Sequence, residues 1–369
     1  MTRHRSSAAP LAWLYAGLIA YASLYPFVGW TIPGAAPWAF LSLPWPRWWT
    51  LFDVVSNLVG YLPFGALVCI ALLRTGRHPL IGLAGAVALA ALLSGGMESL
   101  QNYLPQRVAS NVDLALNVGG AAIGAALMVL AHVLGGIERW QTVRDRWFIS
   151  RSAGGMALLL LWPIGLLFPT PVPLGLGQVI GRLQEGLALA VEGTPAQAWT
   201  EDWLASAGSL DALAPASEVA AIALGLMAPC LVAFTITRDP RRRIVLLLGA
   251  VLLGFAATTL STALNFGPQH ALAWRTPGAL AGFAIGSVAA AGLAWLPRRA
   301  VAGVALVVLT AGIALVSQAP ADPYFAESLQ GWAQGRFIRF HGAAQWVGWL
   351  WPYAALAYLL MRLGTRDEG

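Results

Sequence analysis

MESLQNYLPQRVASNVDLALNVGGAAIG, residues 97–124, gathers charged and amide side chains in a chain that otherwise avoids them. The 369 residues are 58% hydrophobic and only 10% charged. Soluble domains carry about 25% charged residues. The stretch therefore marks the part of the chain where polar chemistry is concentrated. Its polar residues fall within twenty positions: Glu98, Gln101, Arg107, Asp113 and Asn117.

The composition around this stretch indicates a membrane protein. Mean hydropathy is +0.68, and mostly apolar runs of about 18 residues or more recur along the whole length. Each such run is long enough to cross about 30 Å of hydrocarbon as a helix. Backbone polar groups in lipid must bond within their own helix, so the spans should be α-helical.

We therefore predict an all-α fold, a polytopic transmembrane helical bundle. About ten spans are expected. They cover residues 8–28, 51–73, 79–98, 113–134, 153–169, 217–237, 244–264, 277–297, 300–318 and 345–361.

The basic residues orient these spans. All 22 are Arg, and most fall on one side when the spans are threaded alternately through a bilayer. The positive-inside rule places that side, with the N- and C-termini, in the cytoplasm. Localisation in the cell inner (cytoplasmic) membrane is expected. The net charge of +6 then indicates contact with membrane lipids, as at RDPRRR (238–243), and no nucleic acid partner.

Two further residues extend the polar group. Asp53 and Asn57 precede GYLPFG in the second span, and both D-V-V-S-N and D-L-A-L-N place Asn four residues after Asp on one helical face. The predicted topology brings all seven residues to the outer face. A carboxylate in the bilayer costs at least about 2.5–3.5 kcal/mol, so such groups pair with one another or serve function. A structural network and a ligand site both remain open.

The motifs together resemble the VanZ family. The shared pattern is Asp53 and Asn57 before Pro-Phe-Gly, Ser94-x3-Glu98-x2-Gln101, Arg107 in the loop, and Asp113-x3-Asn117 before a glycine pair. The match covers about residues 10–135. The family is named for an accessory protein of glycopeptide-antibiotic resistance, linked with teicoplanin. The resemblance implies a cell-envelope context and no particular reaction.

Two regions are predicted. Residues 1–135 form a VanZ-like four-helix membrane domain, and residues 136–369 form a C-terminal six-helix region with outer interfacial segments. E-S-L-Q-x5-R occurs at 98–107 and again at 327–336. Residues 264–286 have a similar arrangement, a loop with an Arg followed by a glycine-containing helix, but they lack the carboxylates. A degenerate internal repeat is therefore an open alternative.

Two functions remain open. The first is a non-enzymatic protein whose seven polar residues bind a lipid-linked glycan, a peptidoglycan precursor or a glycopeptide, with possible consequences for teicoplanin resistance. The alternative is an intramembrane hydrolase or transferase acting on such a lipid, with a carboxylate as base and Arg107 holding a phosphate. The first is favoured because no activated nucleophile and no metal motif stand out. No cofactor is predicted. Cys69 and Cys230 lie in apolar runs, which favours small hydrophobes over metal ligands.

Overall fold

The structure is a computed structural model of the whole chain. It describes residues 8–24, 27–45 without 33 and 35, 51–105, 107–179, 183–184, 187, 190–194, 197, 213–319 and 338–364. The second E-S-L-Q motif at 327–336 lies outside these residues.

The described part of the chain is helical. Eleven α-helices are present in it: α1 (Ala8–Leu24), α2 (Leu51–Arg74), α3 (Pro79–Gln101), α4 (Asn111–Val133), α5 (Gly136–Trp147), α6 (Ala153–Gly165), α7 (Pro215–Ile236), α8 (Pro240–Phe266), α9 (Pro277–Leu293), α10 (Arg298–Val316) and α11 (Ile338–Gly364). Each predicted span overlaps one of these helices, and α5 is additional.

Within the described residues, six helices are long and apolar enough to cross a membrane: α2, from Asp53 onward, with α3, α4, α7, α8 and α10. The helices α1, α6 and α9 are apolar but have only 17, 13 and 17 residues. Prolines explain one short helix. The span predicted at 153–169 ends at Gly165, before Pro169, Pro171 and Pro173. Proline donates no helical hydrogen bond and disfavours the helical conformation in the residue before it, so three prolines in five residues end the helix.

The distribution of polarity along the helices fits a lipid environment. Large apolar side chains face outward, as with Leu92, which is 72% exposed, whereas Glu98 on the same helix is only 3% exposed. Burial of polar groups beneath an apolar exterior is expected when lipid is the solvent. Together with the spanning helices, this arrangement identifies a multi-pass membrane protein.

The chain divides into two compact units, with the boundary between Val143 and Arg144 along the chain. We describe each unit by itself. The N-terminal unit contains α1 to α4, most of α5 and residues 338–343 at the start of α11. The C-terminal unit contains α6 to α10, with α11 from Ala344 onward.

Glycines hold α2 and α4 together in the N-terminal unit. A Cβ atom at Gly120 would overlap the carbonyl oxygen of Leu58, and one at Gly124 would overlap that of Leu62. Only glycine permits so close an approach of two backbones. Four residues along α2 correspond to four along α4, so the two helices run parallel and in register.

The N-terminal core lies between α1, α2, α3 and α4. It includes Tyr61, Phe64, Cys69 and Ala90. Pro63 lies within α2, where a proline removes one helical hydrogen bond. Nearby, the hydroxyl of Tyr15 on α1 donates to the carbonyl of Gly60 at 3.0 Å. This bond fixes α1 against α2.

In the C-terminal unit, α7 is the central helix. Its residues from Leu226 to Ile236 are buried, and α6, α8, α9 and α10 pack around it. Arg243 at the start of α8 donates to the carbonyls of Ala294 and Leu296 at 2.8 and 2.7 Å. This basic residue of RDPRRR is buried and stabilises the end of α9, so it is not available as a lipid anchor.

The predicted orientation can be tested at the two ends of α3. A cysteine replacing Val108, which is 82% exposed, should react with an impermeant thiol reagent in intact cells. A cysteine replacing Thr75 should react only after lysis. Native Cys69 and Cys230 are fully buried and should remain unlabelled. The reverse labelling would place the α3–α4 connection in the cytoplasm.

Candidate functional site

Three polar residues of α3 form a buried strip. Ser94, Glu98 and Gln101 are spaced by four and three residues, which places them on one helical face. All three are buried. The strip points into the N-terminal unit, as expected for a polar face in a membrane helix.

Ser94 joins three helices. Its hydroxyl oxygen accepts a hydrogen bond from the Asn117 side-chain amide at 2.9 Å, and it also shares a hydrogen bond with the hydroxyl of Tyr61. Asn117 belongs to α4 and Tyr61 to α2, so one serine connects the helices that the glycines bring together. We call Tyr61, Ser94, Glu98, Gln101 and Asn117 the interior cluster.

Glu98 links the interior cluster to the beginning of α4. Its Oε2 atom accepts a hydrogen bond from the backbone N–H of Ser110 at 2.9 Å. The Ser110 hydroxyl in turn accepts from the N–H of Asp113 at 3.3 Å and caps α4. A carboxylate at a helix N-terminus is stabilised by the helix dipole. This location accounts for a nearly fully buried carboxyl group.

Two amide oxygens of the interior cluster are buried without a hydrogen-bond partner among the described residues. The Gln101 amide nitrogen donates to the carbonyl of Ser23 at the end of α1 at 3.1 Å, but its Oε1 atom has no partner there. The Oδ1 atom of Asn117 is in the same situation. These two atoms are acceptors that a ligand with N–H or O–H groups could satisfy.

The other predicted site residues lie closer to the surface. Asp53 and Asp113 are in the first turns of α2 and α4 and are partly buried, as is Arg107 in the connection before α4. Asn57 is buried one turn deeper than Asp53. We call these four the rim residues. Because α2 and α4 run parallel and in register, Asp53 and Asp113 lie within about one helical turn of each other along the helix axes. That all seven predicted residues enclose one cavity stays a prediction.

The segment between α1 and α2 is attached to the α3–α4 connection. The side chain of Asn102 donates to the carbonyl of Pro37, and that of Asn111 to the carbonyl of Leu43, both at 2.6 Å. The N–H of Thr31 also donates to the carbonyl of Tyr103 at 2.8 Å. Exposed tryptophans occur on this segment at Trp30, Trp38 and Trp45, and tryptophan favours the membrane interface.

Tyr61, Ser110 and Asn102 are site residues that sequence reasoning did not single out. One signal for Tyr61 was present, because it follows Asn57 by four residues and continues the face begun by Asp53. In the described part of the chain, no three His, Cys, Asp or Glu side chains come close enough to hold a metal ion together. The polar groups that the interior cluster offers are hydroxyls, amides and one buried carboxylate, which accepts hydrogen bonds.

Comparison with known proteins assigns the N-terminal region to a family. The family model described as VanZ/LLP1 matches residues 6–132, close to the span of about 10–135 expected from the motifs. No curated protein and no solved structure was found to match the chain. The matched region contains α1 to α4 almost entirely, with the interior cluster and the rim residues. Over this N-terminal region, the chain is similar to the VanZ/LLP1 family.

Proposed function

We propose that the N-terminal unit binds the head group of a lipid-linked glycan, a peptidoglycan precursor or a glycopeptide at the interior cluster and the rim residues. The observation that carries this proposal is the pair of buried amide oxygens, Gln101 Oε1 and Asn117 Oδ1, which lack a partner among the described residues. A buried acceptor left unsatisfied costs about 1–3 kcal/mol. Glycans and muropeptides carry many hydroxyl and amide donors that would satisfy such oxygens.

The surroundings of the cluster suit a ligand that is attached to a lipid. Apolar helix faces are exposed around the unit, and Trp30, Trp38 and Trp45 are exposed on the segment fixed to the α3–α4 connection. Tryptophan rings occupy the head-group region of a bilayer. A lipid tail would then lie in the membrane beside the unit, while its polar head reaches the cluster from the interface.

The resemblance to the VanZ family supports a proposed link between this binding and glycopeptide resistance. In our proposal, the protein lies in the cytoplasmic membrane with the cluster facing outward, and it affects susceptibility to teicoplanin-type antibiotics by binding an envelope precursor or the glycopeptide itself. Binding, without turnover, suffices for this role.

The rim residues should be needed for binding and contribute little to folding. Because Arg107 and Asp113 are partly exposed to solvent, Arg107→Ala and Asp113→Asn should each change the free energy of unfolding by less than about 1 kcal/mol. Both should abolish stabilisation by a soluble peptidoglycan-precursor analogue or by teicoplanin, and both should lose any effect on glycopeptide susceptibility.

The measurement is thermal unfolding of the purified full chain in detergent, with and without ligand, beside a susceptibility assay. Arg77→Ala is the matched control, because Arg77 is exposed at the opposite end of α3. If both rim variants unfold at a clearly lower temperature than the wild type and also lose the effect on susceptibility, the polar residues serve only to stabilise the fold and the proposal is wrong.

A further inference from the structure

The C-terminal unit repeats the glycine-mediated helix packing of the N-terminal unit. A Cβ atom at Gly282 of α9 would lie 3.0 Å from the carbonyl oxygen of Val219, and one at Gly286 would lie 2.7 Å from that of Ala223 on α7. Again, four residues on one helix correspond to four on the other, so α7 and α9 run parallel as α2 and α4 do. The helix between them, α8, corresponds to α3.

This correspondence extends to the polar residues. Like α3, α8 carries buried polar side chains near its C-terminal end, at Thr258, Ser261, Thr262 and Asn265. In the N-terminal unit, the equivalent region holds the interior cluster. The corresponding place in the C-terminal unit therefore lies between the start of α7, the end of α8 and the start of α9.

A cavity of about 290 Å³ lies at this place, near the lower end of the usual range for small-molecule sites. Glu218 lines it from the first turn of α7, and Thr276 from the N-cap of α9. Thr258 and Thr262 line it from α8, and Trp274 from the connection between α8 and α9. Glu218 is the one carboxylate of the described lining, which contains no Arg and one imidazole, that of His270.

Two threonine hydroxyls of the lining already donate their hydrogens to the backbone, so they can only accept hydrogen bonds from a ligand. The Thr262 hydroxyl donates to the carbonyl of Thr258 at 2.9 Å, and the Thr170 hydroxyl donates to that of Val172 at 2.7 Å. Their hydrogens are therefore used, but their lone pairs remain available. The Thr258 hydroxyl is buried without a hydrogen-bond partner in the described part of the chain.

The indole of Trp274 is held rigidly beside these acceptors. Its N–H donates to the Thr259 hydroxyl at 3.1 Å. Its ring packs against Phe255 at 5.0 Å and Phe283 at 5.4 Å between centroids. A fixed aromatic ring next to a carboxylate and several acceptor oxygens suits a cation that can also donate hydrogen bonds.

We propose that this cavity binds a protonated primary amine. The Glu218 carboxylate would compensate the ammonium charge, Thr262 and Thr170 would accept its N–H groups, and Trp274 would lie against it. A free small amine and the amino head group of a lipid share this chemistry. The site lies outside the VanZ/LLP1 region and does not depend on the function proposed for the interior cluster.

Ethanolamine and ethylene glycol distinguish an amine site from a general polar cavity, because they differ in one functional group. Ethanolamine should raise the unfolding temperature of the purified full chain in detergent, and ethylene glycol should not. Glu218→Gln should weaken ethanolamine binding by about tenfold or more, since a charge-assisted bond is replaced by a neutral one. Glu192→Gln is the matched control, because Glu192 is exposed and is not among the described lining residues.

Thr262→Val, which keeps the side-chain volume, should weaken binding several-fold and provides the test if Glu218→Gln does not fold. Mixed micelles separate the two sources of the amine. Tighter binding of phosphatidylethanolamine than of free ethanolamine, with no binding of phosphatidylglycerol, would identify a lipid head group; the reverse order would identify a free amine. Equal stabilisation by ethylene glycol, or full affinity in Glu218→Gln, would overturn the proposal.

Discussion

Replacing Gly120 with alanine should lower the free energy of unfolding of the N-terminal unit by about 1–3 kcal/mol, the usual range for an overpacked core. The new Cβ atom would overlap the carbonyl oxygen of Leu58. This oxygen is part of the α2 backbone, so no side-chain rotation can relieve the contact. α2 and α4 would have to move apart, and this would disturb the hydrogen bonds that join Ser94 to Tyr61 on α2 and to Asn117 on α4.

The neighbouring glycine provides the control. A Cβ atom at Gly119 would lie 3.6 Å from the side chain of Leu58, an ordinary contact. Gly119→Ala should therefore stabilise the protein by up to about 1 kcal/mol, because alanine favours helix more than glycine does. Thermal unfolding of both variants in detergent measures the difference. Equal stability of the two variants would show that α2 and α4 do not meet as described.

Much of the N-terminal fold follows from the sequence, because the pattern of apolar and small residues is local information. Helix positions follow from hydropathy, and the pair Gly120 and Gly124 indicates a close contact between two helices. The partners of those glycines cannot be predicted in this way. Leu58 and Leu62 contribute only their carbonyl oxygens, which every residue has, and so no side-chain pattern identifies them.

The sequence predicts which residues of the candidate site are buried and at what depth in the membrane, but it does not predict their hydrogen bonds. Glu98, Gln101 and Asn117 stand out because amide and carboxylate groups are rare in an apolar chain, and all three are buried. The capping role of Ser110 and the link from Ser94 to Tyr61 depend on helix rotation, which spacing alone does not determine. Arg243 shows the same limit. Its charge indicates a membrane anchor, but its long side chain reaches the carbonyl groups that end α9.

Glu98 should separate folding from ligand binding more sharply than any rim residue. In Glu98→Ala, the acceptor for the Ser110 N–H is lost beneath the surface, and α4 loses a negative charge at its N-terminus. Loss of a buried charge-assisted bond costs about 2–5 kcal/mol. We therefore expect this variant to unfold at a clearly lower temperature and to lose ligand binding because the fold is lost.

Glu98→Gln preserves the shape of the side chain and an oxygen that can accept from Ser110, but it removes the charge from the interior cluster. If the cluster is only structural, the glutamine variant should lose some stability, because its bond to Ser110 is no longer charge-assisted, but added ligand should raise its unfolding temperature as much as that of the wild type. If the carboxylate contacts a ligand, the variant should remain folded and lose most of the stabilisation by a peptidoglycan-precursor analogue or by teicoplanin. We expect this second result, measured by thermal unfolding with and without ligand and compared with Glu192→Gln in the C-terminal unit. Wild-type ligand response in Glu98→Gln would remove the carboxylate from the binding site and leave the two amide oxygens, Gln101 Oε1 and Asn117 Oδ1, as the groups to test next.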